Sequence, residues 1–187
     1  MLATEKVLGM WWNTSTDCFT FKLSWSRFDE ALLNGSRRPR KREMLRILMT
    51  IFDPLGLISN YLMFLKITLQ EVWRTGVQWD EEIGFRQHEK WLTWLALLPQ
   101  LESVSIPRCY RLKITVDKKT EIQLHTFVDA SENGIAVTVY IRYQHSEHIG
   151  CSLVSAKTRV SPLKYLSIPR LELQAAVTGS RLAKTVV

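Results

Sequence analysis

The sequence predicts an α+β fold, and three observations carry that prediction. Residues 7–25 show the alternation of a β-hairpin, residues 41–98 contain three stretches of helical periodicity, and residues 121–187 read as three strands followed by a helix. The expected order is an N-terminal hairpin, a small helical unit, then a β-meander closed by a helix.

The hairpin is read from VLGMWW (7–12), a turn around Asn13–Asp17, and CFTFKLSW (18–25). In the second strand Phe19, Phe21, Leu23 and Trp25 share one face while Thr20, Lys22 and Ser24 share the other. From Arg42 to Phe52 the apolar positions Leu45, Leu48, Met49 and Phe52 recur at helical spacing, and Pro54 and Gly56 end the pattern. FDPLGLIS (52–59) therefore reads as a turn between helices, with Asp53 capping or shaping it. The next helix, near Tyr61–Arg74, carries Leu62, Leu65, Leu69 and Trp73 on one side. A third, near Phe85–Leu98, places Trp91, Trp94, Leu95 and Leu98 in a core stripe and follows Asp80-Glu81-Glu82, read as favourable first-turn charge.

Beyond Pro99 the period changes to two. RLKITV (111–116) and EIQLHTFVDA (121–130) alternate and form a candidate hairpin. A polar turn at Ser131–Gly134, the run IAVTVYI (135–141), a polar loop to Glu147 and IGCSLVSA (149–156) complete the meander. A helix entered through Pro169 follows.

Composition bounds the function. The 187 residues, 46% hydrophobic and 10% aromatic, suffice to build one large core or two small ones. Apolar runs such as Leu92–Leu98 stop well short of the roughly 18–20 residues of a membrane span, and no charged-then-apolar leader opens the chain. The expectation is an intracellular protein without membrane contact, cytoplasmic or nuclear. Cys18, Cys109 and Cys151 are odd in number and widely spaced, which suits free thiols. A formal charge of +7 suits a polyanionic partner, because phosphate neutralisation releases counterions. Much of that excess sits in RRPRKR, so Arg37, Arg38, Arg40, Lys41 and Arg42 are candidate nucleic-acid contacts; the alternative is a solvated helix lead-in.

Two motifs carry the candidate chemistry. FVDAS (127–131) puts Asp129 at the end of a strand, and PRLEL (169–173) puts Glu172 early in a helix, 43 residues on. Two more strands between them allow both carboxylates to face one pocket. Read without further context, Asp129 is a turn residue before Ser131 and Glu172 a first-turn charge.

Taken together, EKVLGMWWN (5–13), KREMLRILMTIFDPLGLIS (41–59), LKITLQEVW (65–73), VQWDEE (77–82), IPR (106–108), LHTFVDAS (124–131), AKTRVSPLK (156–164) and IPRLELQAAV (168–177) resemble the pol polyprotein of BEL/Pao-type LTR retrotransposons. The similar region is the one known as Pao retrotransposon peptidase, or peptidase A17. By that resemblance residues 1–40 are a palm-end hairpin and basic connector, 41–105 a thumb- or connection-like helical unit, and 106–187 the N-terminal part of a ribonuclease H-like domain, incomplete in this chain. The resemblance implies that Asp129 and Glu172 are catalytic and are the first two acidic ligands of a Mg²⁺ site acting on an RNA/DNA hybrid. Hard carboxylate oxygens are what Mg²⁺ prefers. Further carboxylates are expected beyond Val187, so the chain alone is expected not to hydrolyse RNA.

No Tyr-x-Asp-Asp motif of a polymerase centre is present. An aspartic peptidase needs an Asp-Thr/Ser-Gly loop, and the chain offers Asp129-Ala130-Ser131. The leading reading is thus a fragment of a reverse transcriptase/ribonuclease H polyprotein, partnered by nucleic acid and the other polyprotein domains. The second is a noncatalytic nucleic-acid-binding or interaction remnant, and the third an aspartic peptidase.

Overall fold

The computed structural model describes residues 4–7, 9–110 and 120–186. The expected strand 111–116 lies outside the described residues. The α+β class is as the sequence predicts, and the chain divides into two compact units. The first comprises 1–52 and 60–106, the second 53–59 and 107–187. The turn segment 53–59, which the sequence places between two helices of the first unit, therefore belongs to the second. Among the described residues no helix is long and apolar enough to cross a membrane.

The first unit opens with β1 (Thr4–Val7), β2 (Met10–Asn13) and β3 (Cys18–Thr20), each antiparallel to the next. The expected single strand 7–12 is split. Gly9, at φ +88°, turns the chain between β1 and β2, a conformation that costs glycine nothing. β3 also stops at Thr20, well before Trp25, where the expected alternation ends. The β2–β3 turn is held by Asn13 Oδ1, which accepts from the Ser15 and Thr16 N–H groups, and by the Trp12 indole donating to Asp17 Oδ1 at 2.9 Å.

Five helices follow: α1 (Glu30–Leu33), α2 (Lys41–Thr50), α3 (Ser59–Arg74), α4 (Phe85–Ala96) and α5 (Leu98–Glu102), then the short β4 (Ser105–Pro107). Their core contains Met44, Ile47, Leu65, Val72, Trp91 and Trp94, each essentially fully buried. Trp91 and Trp94 stack with centroids 5.2 Å apart, and Tyr61 stacks on Trp94 at 5.0 Å. Burial drives the Tyr61 hydroxyl well above the usual phenol range. The stripe expected on α4 is the one observed. The stripe expected on α2 is not: Met44 and Ile47 face the core, while Met49 and Phe52 are 74% and 50% exposed. That helix is apolar on more than one side, so periodicity alone could not select the buried one.

The second unit is a three-stranded antiparallel meander with one helix: β5 (Glu121–Ser131), β6 (Gly134–His145), β7 (His148–Val160) and α6 (Ile168–Val186). β6 runs on through residues expected in a polar loop. Its polar side chains satisfy one another there, Arg142 donating to Gln123 Oε1 and Gln144 Oε1, while Tyr143 is buried. Both hairpin turns take two residues, Glu132-Asn133 and Ser146-Glu147.

Helix α6 lies over β5 and β6. Gly179 makes the contact: a Cβ there would stand 2.5 Å from Val128 Cγ1 and 3.2 Å from Thr126 Cγ2. Leu171 and Ala175 pack on Ile135, with Ala130 alongside. The segment 53–59 is bound to β7 by the Ala156 N–H and the Ser155 hydroxyl, both donating to Leu55 O at 2.8 and 2.9 Å. Asp53 shapes that segment as expected, its carboxylate accepting from the Leu57 and Ile58 N–H groups.

Candidate functional site

Asp129 stands near the end of β5, paired across the ladder with Ala136. Its strand end is fixed by the adjoining turn. The Ser161 N–H donates to Asn133 O at 3.0 Å and the Ser161 hydroxyl to Ser131 O at 3.3 Å, which ties the end of β7 to the β5–β6 turn. Glu172 sits in the second turn of α6, whose start is fixed by the Arg170 and Leu171 N–H groups donating to Ser167 O. Pro169 fits that position because its missing N–H and fixed φ suit a first helical turn.

The packing of α6 brings the two acids to one end of the unit. Gly179 meets Val128 and Thr126, while Leu171 and Ala175, two turns and one turn closer to the helix start, pack with Ala130. The helix thus runs antiparallel to β5, and its N-terminal turns lie over the strand end that carries Asp129. Glu172 and Gly179 are seven residues apart, which returns nearly the same angle on a helix. Glu172 therefore lies on the flank of α6 that faces β5. Strand alternation sets Asp129 with His125 and Phe127, whereas Thr126, Val128 and Ala130 face α6. The two residues share an end of the unit, and their side chains leave the strand and the helix in different directions.

Both carboxylates are exposed, and neither has a hydrogen-bond or ion-pair partner among the described residues. That separates them from Asp29, Glu43, Asp80 and Glu82 of the first unit. Among the described residues no three His, Cys, Asp or Glu side chains gather as a metal-binding group. As donors, the two acids supply hard oxygens of the type Mg²⁺ takes.

The basic run behaves differently from an open phosphate-binding face. The Arg37 guanidinium donates to Asp29 Oδ2 and to both oxygens of Glu43, at 2.8, 2.9 and 2.7 Å. Arg38 pairs with Glu82 at 2.9 Å, and Arg42 holds Asp80 in a two-pronged bond at 2.8 and 2.9 Å. Lys41 is buried, donates to Val77 O at 2.7 Å, and lies 4.5 Å from the centre of the Trp73 ring. Arg40 is exposed, and its backbone N–H donates to Glu43 Oε2 at 2.8 Å. These contacts pull Glu43, Asp29 and Asp80 below the usual carboxylate range, the arginine hydrogen bond being the largest cause in each. Of the acidic stretch expected in the first turn of α4, none lies there; Gly84 precedes the helix, and Asp80 and Glu82 clasp the basic run instead. The signal was present as two complementary charge runs, 37–42 and 80–82.

Residues 40–187 match the family model described as the Pao retrotransposon-like RNaseH-like domain. No curated protein and no solved structure matches the chain.

Proposed function

The chain belongs to the Pao retrotransposon-like RNaseH-like family, and from that premise we propose that it is a fragment of a reverse transcriptase/ribonuclease H polyprotein, its second unit being the opening of a nuclease domain. The observation that carries this reading is the meander and helix within the matched region, which bring Asp129 and Glu172 to one end with neither acid neutralised. Both acids are exposed and without a protein partner among the described residues, which leaves their oxygens open to a cation.

In this reading Asp129 and Glu172, whose side chains leave β5 and α6 in different directions, would each lend a carboxylate at the shared end of the unit to Mg²⁺, which would polarise the phosphate of the RNA strand in an RNA/DNA hybrid. The rigid β5 backbone fixes Asp129, and the first turns of α6 fix Glu172. Two carboxylates are too few to bind and neutralise a pair of ions before substrate arrives. The isolated chain is therefore expected to bind Mg²⁺ weakly and to leave a hybrid uncut. The test is a hybrid-cleavage assay on residues 1–187 with Mg²⁺, beside Mg²⁺ titration followed by NMR of the backbone amides near Asp129 and Glu172. Shifts at both sites that vanish in Asp129→Asn support the reading. Mg²⁺-dependent cleavage abolished by that substitution would show a complete site, and the absence of any Mg²⁺ response at either residue would remove the metal role.

A further inference from the structure

A cavity of about 630 Å³ opens in the first unit between the β1–β3 hairpins and α2. It is within the usual size of a small-ligand cleft. Four of its lining residues are cations, Lys6, Lys22, Arg27 and Arg46, and none is an acid. None of the four has an ion pair or hydrogen bond among the described residues, whereas Arg37, Arg38 and Arg42 of the same unit are each paired with acids. Four cations without an acidic partner among the described residues thus line one cavity.

The walls are aromatic as well as basic. Lys6 and Lys22 lie over the Trp11 ring at 5.9 and 5.1 Å, and Arg46 over Phe28 at 5.8 Å. Phe52 rests against the backbone of Gly9, where a Cβ would stand 2.6 Å from its ring, and half of Phe52 remains open. Gly9 is thus required twice, for its positive φ and for the space it leaves to that ring. An open aromatic side chain beside uncompensated cations meets the two needs of an unpaired nucleotide, a stacking surface for the base and positive charge for the phosphates. Bases inside a duplex are already stacked, so such a wall favours single strands.

We propose that this cavity binds single-stranded nucleic acid, a base stacking on Phe52 and the flanking phosphates running along Lys22, Arg27 and Arg46. The site is in the other unit from Asp129 and Glu172 and stands independently of the nuclease reading. It also accounts for the exposure of Met49 on α2 and of Phe52 just beyond its end, which line the cavity and not the core.

The experiment is fluorescence anisotropy of a short labelled oligothymidylate against the full chain over a range of salt. Each lost phosphate contact on a single strand lowers the salt slope by about 0.7. The Lys22→Ala/Arg46→Ala variant should therefore flatten the slope by about 1.4 units and weaken binding. Phe52→Ala should weaken binding about tenfold with the slope unchanged, since it removes stacking and no charge. Asp129→Asn should leave both quantities as they are, which separates failure here from failure of the nuclease reading. Melting curves establish that each variant is folded. Unchanged affinity and slope in a folded double variant would overturn the proposal, as would equal competition by polyglutamate or inorganic phosphate. A slope that flattens only on replacing Arg37–Arg42 by alanine would also overturn it.

Discussion

In the helical unit Trp91 and Trp94 are fully buried and Arg37, Arg38 and Arg42 are clasped by Asp29, Glu43, Asp80 and Glu82. In the sheet unit Phe127 is 60% exposed, Leu173 is 66% exposed, and Asp129 and Glu172 are exposed without partners among the described residues. The first unit has closed its core and paired Arg37, Arg38 and Arg42 with acids of its own. The second has covered one face of a three-stranded sheet with one helix and left apolar and acidic groups unengaged. An area buried twice over, as at Trp91 and Trp94, stabilises a fold; exposed acids do so only through what they bind. The contrast assigns stability to the tryptophan cluster and leaves Asp129 and Glu172 without a packing role.

The sharpest way to break that contrast is to remove a tryptophan. Trp91→Ala should destabilise the helical unit by about 3–5 kcal/mol, through lost burial and the cavity left behind. The matched change Phe127→Ala in the sheet unit should cost under about 1 kcal/mol, because its ring is already largely in water. Urea unfolding followed by tryptophan fluorescence and far-UV circular dichroism measures both, and equal losses would erase the distinction.

A smaller effect is expected at Gly56. Its φ is +75°, and a Cβ there would stand 1.9 Å from Ala156 O, a backbone atom that cannot step aside without breaking the Ala156–Leu55 contact. Gly56→Ala should cost about 1–3 kcal/mol and release 53–59 from β7. Hydrogen exchange at the Ala156 amide reads the release directly. Protection as in the unsubstituted chain would mean that the segment matters little to the sheet unit.

The smallest effect concerns pH. Arg37 holds the Glu43 carboxyl below its ordinary value of 4.5. A depressed folded-state pKa means that this stabilisation is fully present above about the ordinary value and is lost as pH falls through the folded-state one. Glu43→Gln should remove about 1 kcal/mol at neutral pH and flatten the acid limb of the stability curve. Identical acid limbs in the two proteins would show that the clasp contributes nothing to the helical unit's stability.

Some of this was legible in the sequence and some was not, for identifiable reasons. The α4 stripe was read correctly because Trp91, Trp94 and Leu95 are large, apolar and flanked by polar residues, leaving one face to bury. The α2 stripe was misread because Leu45, Leu48 and Met49 compete with Met44 and Ile47, and only the neighbouring helices decide between them. The first hairpin became three short strands because Gly9 takes a left-handed turn that alternation does not report. Asp129 and Glu172 were found by motif, yet which face of β5 α6 covers, and so that Asp129 points away from it, depended on where Gly179 lets the helix settle.

By itself the sequence determined the α+β class, the order of hairpin, helices, meander and final helix, and the two acids at a strand end and a helix start. These follow from local rules, the periods of two and 3.6 and the conformational limits of proline and glycine, which need no distant partner. The tertiary structure decided which charges are neutralised and which remain free. Arg42 and Asp80, 38 residues apart, became a two-pronged pair. Lys22 and Arg46 were left unpaired beside an open ring. Charge pairing between distant segments depends on distances set by packing, and a one-dimensional pattern of signs contains no distances.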